Sequence, residues 1–238
     1  MTAPVQTLLL ADAREAADLA AFLGRLLHYD RAAAVRIQAG GARDGQGSLA
    51  VFGRPPSFEV LAIRTARLAG WDAGTVAALD ATVSAGELLD SIEGASLAVP
   101  AAVTGPPWAG LLPPRGGWQE LPGLPGVPEM RGAVAVAVAE FRARDEALPQ
   151  ESRTRAERDR IGREIWSRTL GGTALPLRAV HAAQSLGFLR PVPQGAHGGA
   201  ALLAAGGWLR LRTPYGSIAV RTGGIGGLTV TPTTRHHA

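Results

Sequence analysis

Four polar side chains in LPLRAVHAAQSLGFL (175–189) fall on one helical face. Arg178, His181 and Ser185 are spaced by three and four residues, with Gln184 beside them. Side chains of these types hydrogen-bond phosphate oxygens and base edges. Further along, Arg210 and Arg212 alternate with Leu209 and Leu211, so a strand there carries both guanidiniums on one side. Arg221 follows in the next apolar run. Cations so placed neutralise backbone phosphate. Contact by Arg178, Arg210, Arg212 and Arg221 together predicts a salt slope of about −3 to −4. These seven residues are the candidate nucleic-acid-binding set.

No comparable constellation supports catalysis. The five histidines, His28, His181, His197, His236 and His237, lack metal-ligand spacing with one another or with a carboxylate. The patterns HExxH, GxSxG and Walker A do not occur. RTGGIGGLTV (221–230) is glycine-rich, but it follows a strand without opening a helix and has no lysine, so connector turns explain it better than a phosphate loop. Acidic pairs such as Asp145/Glu146 and Glu157/Asp159 sit in charged helical stretches and read as solvated. The expectation is a non-catalytic protein without metal or cofactor.

Charge distribution points to an anionic partner. Residues 1–100 hold 8 Arg against 11 acids, and residues 101–238 hold 16 Arg against 9. No Asp or Glu follows Glu164, while seven Arg do. The partner implied is nucleic acid, or an acidic protein surface that includes the chain's own N-terminal half or a second copy in a homodimer. Every basic residue is Arg, and both Lys and Asn are absent, the usage expected of a GC-rich bacterial genome. There is no Cys, which excludes disulfides and thiolate chemistry and fits a reducing, cytoplasmic setting. The opening MTAPVQTLLLADAREA has no basic n-region and does not read as a signal peptide. No window is apolar enough for a transmembrane helix.

These residues must be positioned by a recognisable series of elements. Apolar spacing predicts a helix over Ala11–His28, then strands at Ala33–Gln38, Ser48–Phe52 and Phe58–Arg64, joined by GGARDGQG and RPPS. Apolar residues at both alternations of the third strand imply cover on both of its faces. A helix over Asp80–Ile92, with Ser84 and Glu87 at capping-box spacing, and a strand at Leu97–Val103 complete a small α+β domain over 1–103. Residues 104–128 hold seven Pro and six Gly, too many for helix or strand, yet Trp108 and Trp118 lie among them, which favours a packed strap over a loose linker. Helices follow over Glu129–Leu148, Ser152–Arg168 and 175–189. GAVAVAVA alternates like a strand, but Val134, Val138 and Phe141 continue a helical stripe. Strands at Ala200–Ala205, Trp208–Thr213 and Ile218–Thr222 precede a flexible glycine-rich tail.

One echo runs along the chain. LAVFGRPPSFEVLAIRT (49–65) and LRLRTPYGSIAVRT (209–222) both read as strand, proline-bearing turn and strand, each after a helix. It fits a duplication or two ordinary hairpins. The order helix, helix, turn, helix, hairpin over 129–222, with LPLRAVHAAQSLGFL ending at LGF before the hairpin, resembles the winged helix-turn-helix family in topology. That resemblance implies an α+β chain whose basic domain, residues 129–238, is winged-helix-like. It further implies DNA binding through the 175–189 helix and the Arg210/Arg212 wing, with residues 1–103 serving dimerisation or partner binding. A protein–protein adaptor whose basic half meets an acidic partner is the alternative.

Overall fold

In a computed structural model the described residues are 6–41, 47–70, 79–191 and 199–222. The middle of the GGARDGQG loop, most of the glycine-rich stretch at 195–199, the tail, His197, His236 and His237 lie outside them.

The first helix and the first two strands of the meander form near the predicted positions, whereas the third strand runs Leu61–Leu68 and not Phe58–Arg64. Helix α1 (Ala13–Tyr29) starts where the Asp12 carboxylate accepts the Glu15 amide at 2.9 Å, and it buries Leu19, Phe22, Leu23 and Leu26. An antiparallel meander follows: β2 (Ala34–Gly41), β3 (Gly47–Gly53) and β4 (Leu61–Leu68). Strand β1 (Thr7–Leu9) precedes α1. The predicted helix over Asp80–Ile92 is half strand. Residues of β5 (Leu79–Ser84) pair with β2, and only α2 (Ala85–Asp90) is helical, capped by Ser84 on the Glu87 amide as its spacing predicted. Sheet pairing of Ala81 and Val83 overrides their weak helical pattern. The predicted strand at Leu97–Val103 shortens to β7 (Ser96–Ala98), which joins β1 and β6 (Ile92–Glu93) in a separate three-stranded sheet.

In the C-terminal half, β8 (Gln119–Leu121) leads into α3 (Val127–Glu146), α4 (Arg155–Ser167) and α5 (Leu177–Ser185), then β9 (Ala201–Ala205), β10 (Trp208–Thr213) and β11 (Gly216–Arg221). GAVAVAVA is helical, with Val134 and Ala137 buried. The α3–α4 pair is laced by Arg144 and Arg168 on Glu140 and Glu164. The Arg144 hydrogen bond holds the Glu164 carboxyl down at about 2.

The expected winged-helix fold is not present. The order of helices and hairpin is as predicted, but β10–β11 is no wing. It lies inside one eight-stranded antiparallel sheet of order β5-β2-β3-β4-β11-β10-β9-β8. A wing needs a free flank; here β9 pairs with β10 on one side and β4 with β11 on the other. The apolar residues on both alternations of β11, Ile218, Ala219 and Val220, are covered from both faces, which a solvent-exposed wing would not provide. Among the described residues the architecture is therefore a large antiparallel sheet with five α-helices plus a small sheet.

The sheet is two four-stranded halves joined edge to edge. In each, a helix (α1 or α5) leads into a three-strand meander, and the last strands, β4 and β11, meet at the centre through Leu61–Ala219, Ala62–Ile218 and Ile63–Ser217. The hairpins that echo one another in sequence occupy corresponding places beside this seam. Their Arg-Thr endings, however, are not equivalent: Arg64 shares the helix side with Ala62, whereas Arg221 shares the opposite side with Ala219.

One face of the sheet packs under the helices. Val35, Ile37, Leu49, Val51, Leu202, Leu211 and Ile218 belong to this main core, together with the apolar stripes of α1, α3 and α5. At the start of β11, Gly216 has φ +152° and a Cβ there would lie 2.5 Å from the Phe188 ring, so only glycine fits. Arg64, almost fully buried, locks the two halves. Its Nη1 donates to the Tyr215 carbonyl at 3.0 Å, and its Nη2 reaches Glu15 and Asp18 of α1, each at 3.3 Å. Arg190 completes the link by donating to Asp18 at 3.2 Å while covering the Tyr215 ring. Breaking a buried pair strands its partners, at about 3 kcal/mol or more. Arg64→Ala should lower unfolding stability by about that amount in urea titration. Arg67→Ala, which removes an exposed guanidinium from the same Glu15, should change it little.

Candidate functional site

The second face of the sheet carries most of the candidate cations, and the Pro/Gly-rich segment lies over it. Alternation dictates the set. Because Leu209, Leu211, Ile218 and Val220 point to the helices, Trp208, Arg210, Arg212 and Arg221 point the other way. Beside them Phe52, Leu61, Ile63 and Ala219 form a second apolar cluster, covered by Trp108 and Leu112 from the strap. Contrary to the sequence expectation, Gln119–Leu121 within this segment forms β8 and pairs with β9, but its Pro106–Pro114 stretch stays out of the ladder and is fixed by isolated anchors. The Val103 amide donates to the Thr82 carbonyl at 2.8 Å. Arg36 donates to the Ala109 carbonyl while forking onto Asp80 at 2.7 and 2.9 Å. Gln38 donates to the same carboxylate at 3.0 Å. The Trp118 indole N–H donates to the Pro114 carbonyl at 3.0 Å.

Two clefts flank the strap. The first, of about 420 Å³, lies over the middle of the sheet and is lined by Gln38, Ser48, Phe52, Thr65, Arg115 and Arg210. Arg210 lies 5.6 Å from the Trp118 ring centre. Its Nε is buried without a hydrogen-bond partner, and among the described residues no carboxylate reaches its guanidinium. Burial, and secondarily the charge of Arg212, pushes its pKa below the ordinary value, although an arginine stays protonated. Arg212 is exposed and loosely paired with Glu120 at 3.9 Å.

The second cleft, of about 430 Å³, opens where β4 and β10 begin and β11 ends. Arg54, Arg178 and Arg221 enter it from three different elements, with Glu59, Trp108 and Trp208 in its walls. Arg221 stands over the Trp208 ring at 5.9 Å, and the buried Nε of Arg178 has no hydrogen-bond partner.

The other predicted residues are elsewhere. His181 is packed between Trp166, stacked at a centroid distance of 4.3 Å, and Phe58 at 5.1 Å, and burial pushes its pKa down. It is a neutral core-edge ring at pH 7. Gln184 lines a separate groove with Arg131 and Arg190 against α3, and Ser185 is half-buried at the end of α5. The structure thus unites Arg210, Arg212 and Arg221 on one face and brings Arg178 to its end, but it leaves His181, Gln184 and Ser185 outside. Sequence reading missed Arg54, Arg115 and Trp208. The signal was faint: alternation places Trp208 with Arg210, whereas Arg54 and Arg115 sit in loops beside proline pairs.

Residues 3–110 match a family model described as a domain of unknown function (DUF8010), and residues 113–225 match a second, also a domain of unknown function (DUF8185). Each match covers one four-stranded half, and they meet within the strap. No curated protein and no solved structure matches the chain. Among the described residues no group of His, Asp and Glu could hold a metal, and no helix is long and apolar enough to cross a membrane.

The Asp80 carboxyl is held below its ordinary value, first by the Arg36 hydrogen bond. Its hold on the strap is therefore complete above the ordinary carboxylate range and is lost only as pH falls through that depressed value. Asp80→Asn should loosen the strap already at neutral pH. Tryptophan emission should then shift to the red and lose the acid-side step of the wild-type titration.

Proposed function

We propose that the chain is a non-catalytic nucleic-acid-binding protein that holds a single strand against the strap-bearing face of its sheet. One observation carries this reading: Arg210, Arg212 and Arg221 share a face with Trp108, Trp118 and Trp208, and Arg210 stands half-desolvated with no carboxylate partner among the described residues. Arginines along a backbone track with aromatic rings for stacking are the two requirements of single-strand binding. A duplex is the poorer ligand. The predicted recognition helix, α5, buries Leu177, Ala179, Val180, Ala182 and Ala183, and its His181 is covered by Trp166, so it offers little to a major groove.

Fluorescence anisotropy with a mixed-sequence 15-nucleotide strand, across a salt series, tests the reading. The strand should bind at micromolar Kd or tighter, with a log–log salt slope of about −2 for three phosphate contacts. A duplex of the same sequence should bind more weakly, and Arg210→Ala/Arg212→Ala should weaken single-strand binding at least tenfold. Absence of binding at low salt would contradict the proposal and leave an acidic protein as the partner to seek.

A further inference from the structure

Building on the single-strand reading, we infer that the cleft at the end of the sheet seats a terminal nucleotide that carries a phosphomonoester. Three guanidiniums from three separate elements, Arg54 after β3, Arg178 in the first turn of α5 and Arg221 at the end of β11, enter one cleft with a single carboxylate, Glu59. Their charges sum to +2. A phosphomonoester carries about −1.5 to −2 near neutral pH, whereas an internal phosphodiester carries only one charge. The charge balance therefore selects a strand end, not its middle. The position agrees: the cleft lies where β4 begins and β11 ends, beyond the track formed by Arg210 and Arg212.

The walls suit a nucleotide better than a bare anion. Trp108 and Trp208 face the cleft together with Leu61 and Leu111, a surface suited to a planar base. Its volume of about 430 Å³ is within the range that encloses a small ligand. Glu59, an acceptor only, is placed to take hydrogen bonds from sugar hydroxyls or base amino groups. The loop that delivers Arg54 and Glu59 is held in an unusual conformation, with Ser57 at φ +69° and Glu59 at φ +52°, which non-glycine residues seldom adopt. Arg178 brings a half-buried guanidinium to the cleft lining, a group that pairs with phosphate oxygens.

The test compares one 12-nucleotide strand bearing a 5′-phosphate, a 3′-phosphate or neither, on the full chain and on two variants. Arg54→Ala/Arg221→Ala removes exposed side chains, so folding is expected to survive, which its melting curve checks. The wild type should prefer one phosphorylated strand over the unphosphorylated one at least tenfold. The Arg54→Ala/Arg221→Ala protein should bind all three alike. Arg210→Ala/Arg212→Ala should weaken all three in parallel and keep the preference. Equal wild-type affinities, or a preference that survives in Arg54→Ala/Arg221→Ala, would overturn the inference while leaving the single-strand reading in place. If no strand binds, the single-strand reading fails by itself. Adenosine monophosphate then tests the cleft alone, and its failure to bind the wild type would overturn the inference too.

Discussion

Three residue pairs between β4 and β11 make one molecule of two half-sheets. Leu61, Ala62 and Ile63 face Ala219, Ile218 and Ser217, and the hydrogen-bonded seam runs through the centre of the eight strands. So short a seam cannot hold by backbone pairing alone, given that each hydrogen bond contributes only about 1 kcal/mol net. Burial on both faces reinforces it, with Ala62 and Ile218 under the helices and Leu61 and Ala219 under the strap. Arg64 then ties the turn between β10 and β11 to α1 through Tyr215, Glu15 and Asp18. The acidic excess of the N-terminal half is thus partly spent inside the fold, on Arg64 and Arg190. The arginines of the opposite face keep few carboxylates near them.

That division of labour follows from strand alternation. Every strand near the seam must send one set of side chains toward the helices, and those sets are aliphatic apart from Arg64 of β4 and Thr213 of β10. The alternate sets are left to the second face, where Phe52, Leu61, Ile63 and the tryptophans form an apolar patch ringed by Arg54, Arg115, Arg210, Arg212 and Arg221. A segment rich in proline is suited to cross such a patch. Only its residues 119–121 join the sheet, as β8; the stretch from Pro106 to Pro114 stays out of the ladder and leaves clefts on either side of itself, and Arg36 anchors it at Ala109.

Much of this was legible in the sequence at the level of single elements. The stripe of Leu19, Phe22, Leu23 and Leu26 gave α1, the Ser84/Glu87 spacing gave the cap of α2, and the alternation of Leu209 and Leu211 with Arg210 and Arg212 gave β10 and its basic face. The assembly was not legible. Pairing of β4 with β11 joins residues more than 150 positions apart, and no local pattern distinguishes a hairpin that ends in solvent from one inserted between two neighbours. Hence the winged-helix expectation, whose element order is right and whose hairpin is misplaced. The surroundings of His181 were illegible for a related reason: helical spacing put it beside Arg178 and Gln184, but Trp166 and Phe58, which enclose it, come from other elements.

In the proposed function, ligand lies on the strap-bearing face and not under the helices. Nuclear magnetic resonance of the indole N–H groups during titration with a single strand tests it most directly, because the tryptophans report from both sides. Trp108, Trp118 and Trp208 belong to that face, and Trp166 is stacked on His181 under the helices. The first three signals should shift together with the same saturation curve while that of Trp166 stays in place. A shift of Trp166 with the other three unmoved would contradict it.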